Sequence, residues 1–545
     1  MKKGTVYIPF ILFAILLILL YYIDIQIPNC LDIIGSDEAN YLDYGVRFNQ
    51  HITQEWGPSY NFWYYVLSKF APDRIQLYYL NIQVMVSVCS ILIFVYCYQL
   101  SKNAFLAFIF SVLFALHPMV IGICPKISLY CILIMLTTVV ISTLFNSSLK
   151  KIIIVSIGLF WSWYARPEFS IGFLASIIII IYLIFKTIKN QQKLPYVFLG
   201  SYVVIISGII FLLKPFVFTT MGGVDKMYVA FVQHWGIYYT LTHQKQLAHV
   251  TIYELYNKTL VDLFGPERTF VGIIKHQPLI VLKHIGVNIL IDIKWVTGFI
   301  EQYFIPSMYL KSKKITHLLF LIIIAGGFYF FRKDIRFNPL KWTERTQITG
   351  ITLFLFFIGI CIPNLLIGFQ EHYFLLMFGV LFLALLFFIS INTIQIKASA
   401  IITGFLLLLM LIIHPDLKKN IYMHTNPVDA AKLPNRIVYA YIKKHFSSKD
   451  KHTMIAIEGG CERYIEYPNL EIIPGIFLGF DGKSHLENFK EKNIDLIYVD
   501  KMLKMTAKNN ADQGLHQVLE NPANYGFKKR VNFSNLKETY LLIKE

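Results

Sequence analysis

The sequence predicts a polytopic α-helical membrane protein that carries a small α/β domain at its C-terminal end. Of its 545 residues, 56% are hydrophobic, and a soluble protein cannot easily bury that much apolar surface. The hydrophobic residues come in blocks, most of them long enough for a helix to cross roughly 30 Å of hydrocarbon. Residues 416–545 instead alternate helical and strand patterns, which is typical of an α/β domain.

The hydrophobic blocks predict about eleven transmembrane helices within a membrane domain of residues 1–415. The block at 152–165 is the shortest. The first block has no small-residue cleavage site behind it, so we expect it to stay in the protein as an anchor. The blocks are 6–23, 77–98, 105–123, 129–145, 152–165, 169–185, 196–213, 315–331, 348–369, 373–391 and 398–413.

The distribution of lysine and arginine predicts the orientation in the membrane. Lys2 and Lys3 precede the first block, and placing them in the cytoplasm makes the other inner loops basic as well. The first outer loop, residues 24–76, is acidic in contrast. An odd number of spans then places residues 416–545 outside the cytoplasm. The basic residues of the inner loops are Lys102, Lys150, Lys151, Lys186, Lys189, Lys193, Arg332, Lys333, Arg336, Lys341 and Arg345.

The net charge of +17 indicates anionic partners. Part of it is the bias of the inner loops, and the rest lies in the second outer loop, residues 214–314, and in the C-terminal domain. Lysines there suit anionic lipid phosphates or cell-surface polymers. Nucleic acid is not expected as a partner, because the C-terminal domain faces away from it.

The seven cysteines do not form the framework of a disulfide-stabilised protein. Cys30, Cys124 and Cys461 are predicted on the outer side, where one bridge is possible. The other cysteines fall within spans and act as small hydrophobic residues. No CxxC or histidine-rich spacing supports a metal site.

The outer segments show helical and strand patterns. Ser36 or Asp37 can cap a helix on whose surface Asp43 and Arg47 pair. Residues 60–70 are aromatic on one side and predict a helix in the membrane interface, as do residues 229–239 and 279–293. The C-terminal domain is predicted to contain a helix at 436–445 and strands at 453–457, 496–500 and 539–544.

The adjacent carboxylates Asp37 and Glu38 are the first candidate for chemistry. Asp37 can act as a general base, because a positioned carboxylate takes the proton from an attacking hydroxyl while an anomeric carbon is displaced. The alternative is a structural role, in which one residue caps the helix and the other is an acid of its first turn. The local sequence leaves both open.

Glu55 and Trp56 lie in the same loop, followed by Gly57 and Pro58. Glu55 can orient an acceptor or a basic partner, and Trp56 can stack on a sugar ring. The alternative is an aromatic membrane anchor with a Gly-Pro turn, and the local sequence favours it.

Further candidates for binding a phosphate lie at the outer membrane surface. Arg166, next to Glu168 in a short turn, can bind a phosphate in a bidentate way or pair with the glutamate. Glu371, His372 and Tyr373 start a late span, and a lone histidine there is more often a satisfied interface residue. Lys226, His234 and Lys245 are additional candidates in the second outer loop.

Several common catalytic signatures are absent from the sequence. Gly459-Gly460 reads as a strand-to-helix turn and lacks the dinucleotide-binding or P-loop pattern. There is no HExxH, GxSxG or kinase signature. The chain therefore contains no recognisable nucleotide-binding loop.

The layout of residues 1–415 resembles the GT-C superfamily of polyprenyl-phosphate-sugar-dependent glycosyltransferases. The similar features are one span followed by an outer Asp37-Glu38 pair with Tyr41 behind it, many further spans, a long outer loop and an outer C-terminal domain. The nearest branches are the protein O-mannosyltransferases and the lipid A aminoarabinose transferases. Glu55-Trp56-Gly57-Pro58 stands where these relatives often have an acidic-Lys-Pro-Pro sequence, without the lysine and one proline. His372-Tyr373 resembles their Arg-Tyr or His-Tyr element.

The resemblance implies a glycosyltransferase of a bacterial inner membrane. A sugar on a polyprenyl phosphate is transferred, with inversion, to an extracytoplasmic hydroxyl of a protein, lipid A or a glycan. Asp37 is the implied base, while Glu38 and Glu55 shape the acceptor site. Arg166, Lys226 and His372 are expected to bind the donor phosphate. No cofactor is required, and a divalent metal is used by some GT-C branches but not required by the nearest two.

Three other functions are compatible with the same layout. A flippase or transporter of lipid-linked saccharides usually keeps its essential charges inside the spans, whereas here they cluster in outer loops. A polymerase or ligase of surface saccharides shares the spans and outer loops. A structural or sensory membrane protein would use the C-terminal domain to bind a partner.

Overall fold

The computed structural model describes residues 7–53, 57–214, 268–304, 344–366 and most of 433–545, with short stretches between 220 and 264 and between 375 and 387. Among these residues, five helices are long and apolar enough to cross a membrane. Shorter apolar helices accompany them at Ala104–Leu116, Ile127–Thr143, Pro278–Ile291 and Leu375–Ala384. The helices are compatible with a membrane protein, whereas the number of about eleven spans stays a prediction.

The N-terminal part is a succession of helices that follows the predicted blocks closely. Its helices are α1 (Ile8–Cys30), α2 (Ser36–Val46), α3 (Pro58–Leu67), α4 (Arg74–Ser101), α5 (Ala104–Leu116), α6 (Pro118–Gly122), α7 (Ile127–Thr143), α8 (Ser148–Trp163), α9 (Phe169–Lys189) and α10 (Tyr196–Leu213). The predicted span at 105–123 is divided into α5 and α6. The division falls at His117, which precedes a proline, is extended and caps α6 by accepting from Met119 N.

The exposed faces of these helices are compatible with a membrane environment. In α1 the buried residues Leu12, Leu16 and Leu20 recur at helical spacing, while the opposite side is exposed and apolar. In α10 Phe211 is 90% exposed. Contiguous apolar surface of this kind is rare on soluble monomers but is the normal surface of a helix in lipid.

The helix α1 extends beyond its predicted span to Cys30 and so includes Asp24. The Asp24 carboxylate accepts from Ser87 Oγ at 2.8 Å, and the Asp24 carbonyl accepts from Gln83 Nε2 at 2.7 Å. Both partners lie on α4. This carboxylate therefore lies inside an apolar helix and not in the first outer loop, where the sequence placed it.

The segment predicted as the first outer loop folds as α2 and α3, with two differences from the prediction. The N-cap of α2 is Gly35, so Asp37 lies inside the first turn and does not cap the helix through its side chain. The aromatic side of α3 faces the protein, because Tyr60 and Tyr64 are fully buried. Their hydroxyl groups find a carboxylate partner on α2, which an interfacial helix would not offer.

The remaining membrane part is described in pieces. The strands β1 (Thr220–Met221) and β2 (Val224–Asp225) pair antiparallel, and the helices α11 (Phe270–His276), α12 (Pro278–Phe304) and α13 (Glu344–Leu366) follow. The predicted helix at 279–293 is confirmed within the longer α12, and residues 230–232 and 234–236 are helical too. The predicted spans at 315–331 and 398–413 lie outside the described residues.

The C-terminal domain contains α14 (Pro434–His445), β3 (His452–Ala456), β4 (Leu470–Pro474), β5 (Leu496–Val499), α15 (His485–Glu491), α16 (Lys501–Asn509), α17 (Gly514–Glu520), β6 (Lys529–Asn532) and β7 (Tyr540–Ile543). The strands form one sheet in the order β4-β3-β5-β7-β6. β3 is parallel to both β4 and β5, whereas β7 is antiparallel to β5 and β6. The predicted α/β character, the helix and the three strands are confirmed.

An unusual cap joins the C-terminal domain to the end of α1. Asp32 accepts hydrogen bonds from the backbone N–H groups of Asn435 (2.8 Å) and Arg436 (3.0 Å), both in the first turn of α14. Arg436 also donates to the carbonyl of Pro28 at 3.1 Å. A carboxylate from a distant part of the chain therefore satisfies the amides that a helix N-terminus leaves without a partner.

The docking of α14 is expected to depend on pH through Asp32. Burial raises the pKa of Asp32 from 3.8 to about 6, although the Arg436 and Asn435 amides favour the ionised form. The pKa of Asp32 is higher in the folded protein than in the unfolded chain. The stability that Asp32 contributes is therefore complete below about pH 4 and is lost as the pH rises through about 6. We expect Asp32→Asn to remove this part of the pH dependence. Thermal unfolding in detergent across this range measures it, and parallel profiles for the two proteins would contradict the assignment.

Candidate active site

The acidic pair predicted from the sequence occupies the first turn of α2, but its two members have different surroundings. Glu38 is 1% exposed, whereas Asp37 is partly exposed to solvent. Carboxylates in this position interact favourably with the N-terminal end of the helix dipole. Two adjacent acids of one helix turn are thus placed in two different dielectric environments.

Glu38 is the centre of a buried hydrogen-bond network. Its Oε1 accepts from the hydroxyl groups of Tyr60 (2.8 Å) and Tyr64, and its Oε2 accepts from the backbone N–H of Lys126 (2.6 Å). These donors come from α3 and from the connection that precedes α7. The carboxylate therefore ties α2 to two other elements.

Asn81 on α4 extends this network. Its Nδ2 donates to the hydroxyl oxygens of Tyr60 (2.8 Å) and Tyr64 (2.9 Å), while its Oδ1 accepts from Trp63 Nε1 (2.8 Å). Each tyrosine hydroxyl thus accepts from Asn81 and donates to Glu38. Polar networks in which every group is satisfied hold a single arrangement of the packed elements.

Lys126 places a cation beside this network. It is fully buried, and its Nζ donates to the carbonyls of Val120 (3.1 Å) and Ile121 (2.5 Å) at the end of α6. Burial raises the pKa of Glu38 and lowers the pKa of Lys126, and the attraction between the two groups opposes both effects. The sequence reasoning missed Lys126, although one lysine in an outer turn between two apolar blocks runs against the positive-inside pattern and was a usable signal.

The glycine at the start of α3 brings the first loop against the turn that holds Arg166. Gly57 has φ of +48°, and a Cβ there would lie 2.9 Å from the carbonyl oxygen of Ala165 and 3.3 Å from Cε1 of Tyr41. Ser59 N donates to the Tyr164 carbonyl at 3.3 Å. Gly57 and Ser59 thus bring the start of α3 into contact with both α2 and the turn between α8 and α9.

A side chain at position 57 is therefore expected to destabilise the protein. Gly57→Ala combines a left-handed backbone with a contact that is too short, so we expect a loss of about 1–3 kcal/mol. Gly208→Ala on α10 is the matched control, because a Cβ at that position meets no atom within 4 Å. Thermal unfolding of both variants in the same detergent measures the difference, and equal melting temperatures would contradict this packing.

Arg166 and Glu168 form an ion pair with 2.9 Å between Nη2 and Oε1. Arg166 Nη1 also donates to Ser128 Oγ on α7 at 3.1 Å, and the arginine is mostly buried. The paired arrangement that the sequence left open is thus present. A role in phosphate binding stays a prediction, because a bidentate phosphate contact would have to compete with Glu168 for the guanidinium.

The C-terminal domain borders the same turn of α2. A Cβ on Gly35 would lie 2.3 Å from the carbonyl oxygen of Gly459, and the hydroxyl of Tyr464 donates to the carbonyl of Ile34 at 2.8 Å. Tyr464 belongs to a 3₁₀ helix at Cys461–Ile465. The Gly459-Gly460 turn, which the sequence suggested only as a local reversal, thus adjoins the candidate site.

A charged cluster at the other end of α2 strengthens this border. Arg74 donates to Asp43 (2.7 Å) and to the carbonyl of Arg463 (2.9 Å), and its Nε lies 3.2 Å from Glu466. Asp43 also pairs with Arg47, as the sequence predicted. Asp43 is buried whereas Arg47 is 54% exposed, so the cluster extends from the surface, through Asp43 and Arg74, to the contact between domains.

The other predicted site residues divide into those that are described and those that are not. Glu55, Trp56, Lys226, Glu371, His372 and Tyr373 lie outside the described residues, so their roles stay predictions. His234 is partly buried, and burial together with the nearby His284 lowers its pKa to about 4. At neutral pH its imidazole is therefore uncharged, which weakens it as a candidate for binding a phosphate by charge.

The described residues give no indication of a metal or disulfide at the site. Within them, no group of three or more His, Cys, Asp or Glu side chains is placed to hold a metal ion. The seven cysteines are free thiols, so the possible bridge among Cys30, Cys124 and Cys461 is not formed. That the activity requires no metal ion stays a prediction.

Comparisons with known proteins do not extend this description. No family model matches the chain, and a search of curated proteins finds no match. The class that can be stated is therefore a helical protein compatible with a membrane, with a small C-terminal α/β domain docked on an acidic helix turn.

Proposed function

We propose that the protein is a membrane glycosyltransferase that moves a sugar from a polyprenyl phosphate to a hydroxyl group of an extracytoplasmic acceptor. The observation that supports this proposal most is the difference in burial between Asp37 and Glu38. Glu38 is buried and fixes the first turn of α2, while Asp37 on the same turn is partly exposed to solvent. A carboxylate that is both rigidly placed and accessible suits a general base.

In the proposed reaction Asp37 accepts the proton of the acceptor hydroxyl. The acceptor oxygen attacks the anomeric carbon from the side opposite the phosphate, and a new glycosidic bond forms with inversion. The bond between the anomeric carbon and the phosphate oxygen breaks, and polyprenyl phosphate leaves with the electron pair. Asp37 then returns its proton to water. Glu38 acts as a positioning residue, because its carboxylate is occupied by protein donors.

The donor phosphate is proposed to bind near the turn between α8 and α9. Arg166 lies in this turn, and Gly57 connects the turn to α2. Lys226 and His372 remain proposed contributors from segments outside the described residues. The placement in a bacterial inner membrane, with a cytoplasmic N-terminus and about eleven spans, belongs to the same proposal.

A flippase or transporter of lipid-linked saccharides is the second candidate. It is favoured by Asp24, whose carboxylate lies inside the apolar helix α1 and contacts Ser87 on α4. Ionisable groups within membrane helices often mark transport pathways. Asp24 is a single group near one end of α1, so the acidic turn of α2 remains the stronger basis for a function.

One experiment separates the two candidates. Purified wild-type protein in liposomes is given a panel of radiolabelled polyprenyl-phosphate monosaccharides, with and without cell-envelope extract. We expect cleavage of the sugar–phosphate bond and transfer of label to a product of the extract. Movement of intact donor across the bilayer without cleavage would establish the transporter instead, and neither result with any donor would contradict both.

A further inference from the structure

The parallel strands of the C-terminal domain create a binding edge. β3 lies between β4 and β5 and is parallel to both, so the chain crosses to one side of β3 before it returns to the other. In open α/β sheets, ligands bind outside the carboxyl ends of the strands at such a reversal of strand order. Residues 459–462 follow the carboxyl end of β3 by three residues, and we name them the β3 loop.

The β3 loop is also the part of the domain that borders the candidate active site. The carbonyl of Gly459 packs against Gly35, and Cys461 Sγ lies 3.5 Å from the position of a Cβ on Gly35. The loop is held in shape by Glu462, which accepts from Gly460 N at 2.8 Å, and by the positive φ of Gly460. The expected binding edge of the sheet and the acidic turn of α2 thus meet.

We propose that the β3 loop forms the acceptor side of the active site and that the C-terminal domain selects the acceptor. This inference rests on the proposed glycosyltransferase function and assigns a role to the domain within it. The acceptor class is a water-soluble molecule with a free hydroxyl group, since it reaches Asp37 along a domain that lies outside the apolar helices.

A different set of contacts of α2 is left for the donor. Gly57 and Tyr41 connect α2 to the turn before α9, which is an apolar helix long enough to cross a membrane. A polyprenyl chain is confined to the bilayer and must approach along such helices. Because donor and acceptor need different sides of the attacked carbon for an inverting displacement, the β3 loop is assigned to the acceptor.

Two tyrosines provide a matched test. Tyr464, in the 3₁₀ helix that continues the β3 loop, donates to the carbonyl of Ile34 just before α2 and so holds the loop in place, whereas Tyr467 donates to the Ser447 carbonyl within the C-terminal domain. Tyr464→Phe and Tyr467→Phe each remove one hydroxyl from a buried ring. We expect Tyr464→Phe to raise the amount of extract that gives half-maximal transfer by about fivefold, the effect of one hydrogen bond, and Tyr467→Phe to leave it unchanged.

The assay uses a radiolabelled polyprenyl-phosphate sugar, serial dilutions of an aqueous envelope extract, and water alone as the competing acceptor. Donor hydrolysis by water is expected to stay within about twofold of wild type in Tyr464→Phe, which also shows that the variant folds. A parallel fall in hydrolysis would overturn the inference, because the loop would then act on the donor or the chemical step. The inference would also be overturned if both substitutions raised the half-maximal amount of extract equally, or if neither substitution changed it.

Three outcomes test the acceptor class, the proposed function and the inference separately. Label that enters only the lipid fraction of the envelope would overturn the water-soluble acceptor class. Wild-type protein that neither hydrolyses nor transfers any donor would contradict the proposed function itself and the inference with it. Wild-type activity combined with an unaffected Tyr464→Phe would contradict the inference alone.

Discussion

Asp37→Asn is expected to lower the rate of sugar transfer by about 10²- to 10⁴-fold, the usual contribution of a positioned general base. The amide has nearly the shape of the carboxylate but cannot accept the proton of the acceptor hydroxyl. Since Asp37 is partly exposed in the first turn of α2, the loss of its favourable interaction with the helix dipole should destabilise the protein by no more than about 1 kcal/mol. Steady-state transfer and thermal unfolding measure the two effects separately.

Asp73→Asn is the matched control for this substitution. Asp73 lies in the same outer loop and caps α4 by accepting from Gln76 N, and asparagine is an equally good N-cap. The control should therefore keep both its stability and its activity. Wild-type transfer by Asp37→Asn would exclude Asp37 as the base. A large drop in its melting temperature would instead assign the loss of activity to unfolding.

The membrane helices could be predicted from the sequence because their signal is local. A continuous apolar block needs no knowledge of its neighbours, and α10 begins and ends where the hydropathy predicts. The direction that α3 faces is not local information. Tyr60 and Tyr64 suit a membrane interface or a protein interior equally well, and a carboxylate more than 20 residues earlier in the chain decides between them.

The C-terminal sheet shows that local sequence also predicts some strands and misses others. The strands β3, β5 and β7 are apolar and were predicted, whereas β4 and β6 were not. β6 has the sequence Lys529-Arg-Val-Asn532, and β4 ends in Pro474. Both are edge strands, where charged residues and proline discourage pairing with other chains and also weaken the strand pattern.

At the candidate site, the residue types could be predicted but the division of their roles could not. An acidic pair on a helix turn near a membrane is visible in the sequence, and both residues were assigned to the substrate side. Which of the two is buried depends on the elements packed around α2. Lys126 and Asn81 entered only with the structure, because a single lysine and a single asparagine carry no motif.

Glu38→Ala is expected to destabilise the protein by about 3–5 kcal/mol. The substitution leaves the hydroxyl groups of Tyr60 and Tyr64 and the N–H of Lys126 without their acceptor in a region closed to water. It also removes the carboxyl group whose electrostatic interaction favours the charged form of the buried Lys126. We expect a lower melting temperature in detergent, and a loss of transfer that follows the loss of folded protein.

Glu466→Ala is the control that tests burial as the cause. Like Glu38, Glu466 lies near a basic residue, in its case Arg74, but its side chain is 59% exposed, so its removal should change stability by less than about 1 kcal/mol. If the two substitutions had equal effects, the buried network would not be what fixes α2. A stable Glu38→Ala variant with wild-type transfer would contradict the proposed positioning role of Glu38. Asp37 would then keep its place without the hydrogen bonds that Glu38 accepts from Tyr60, Tyr64 and Lys126.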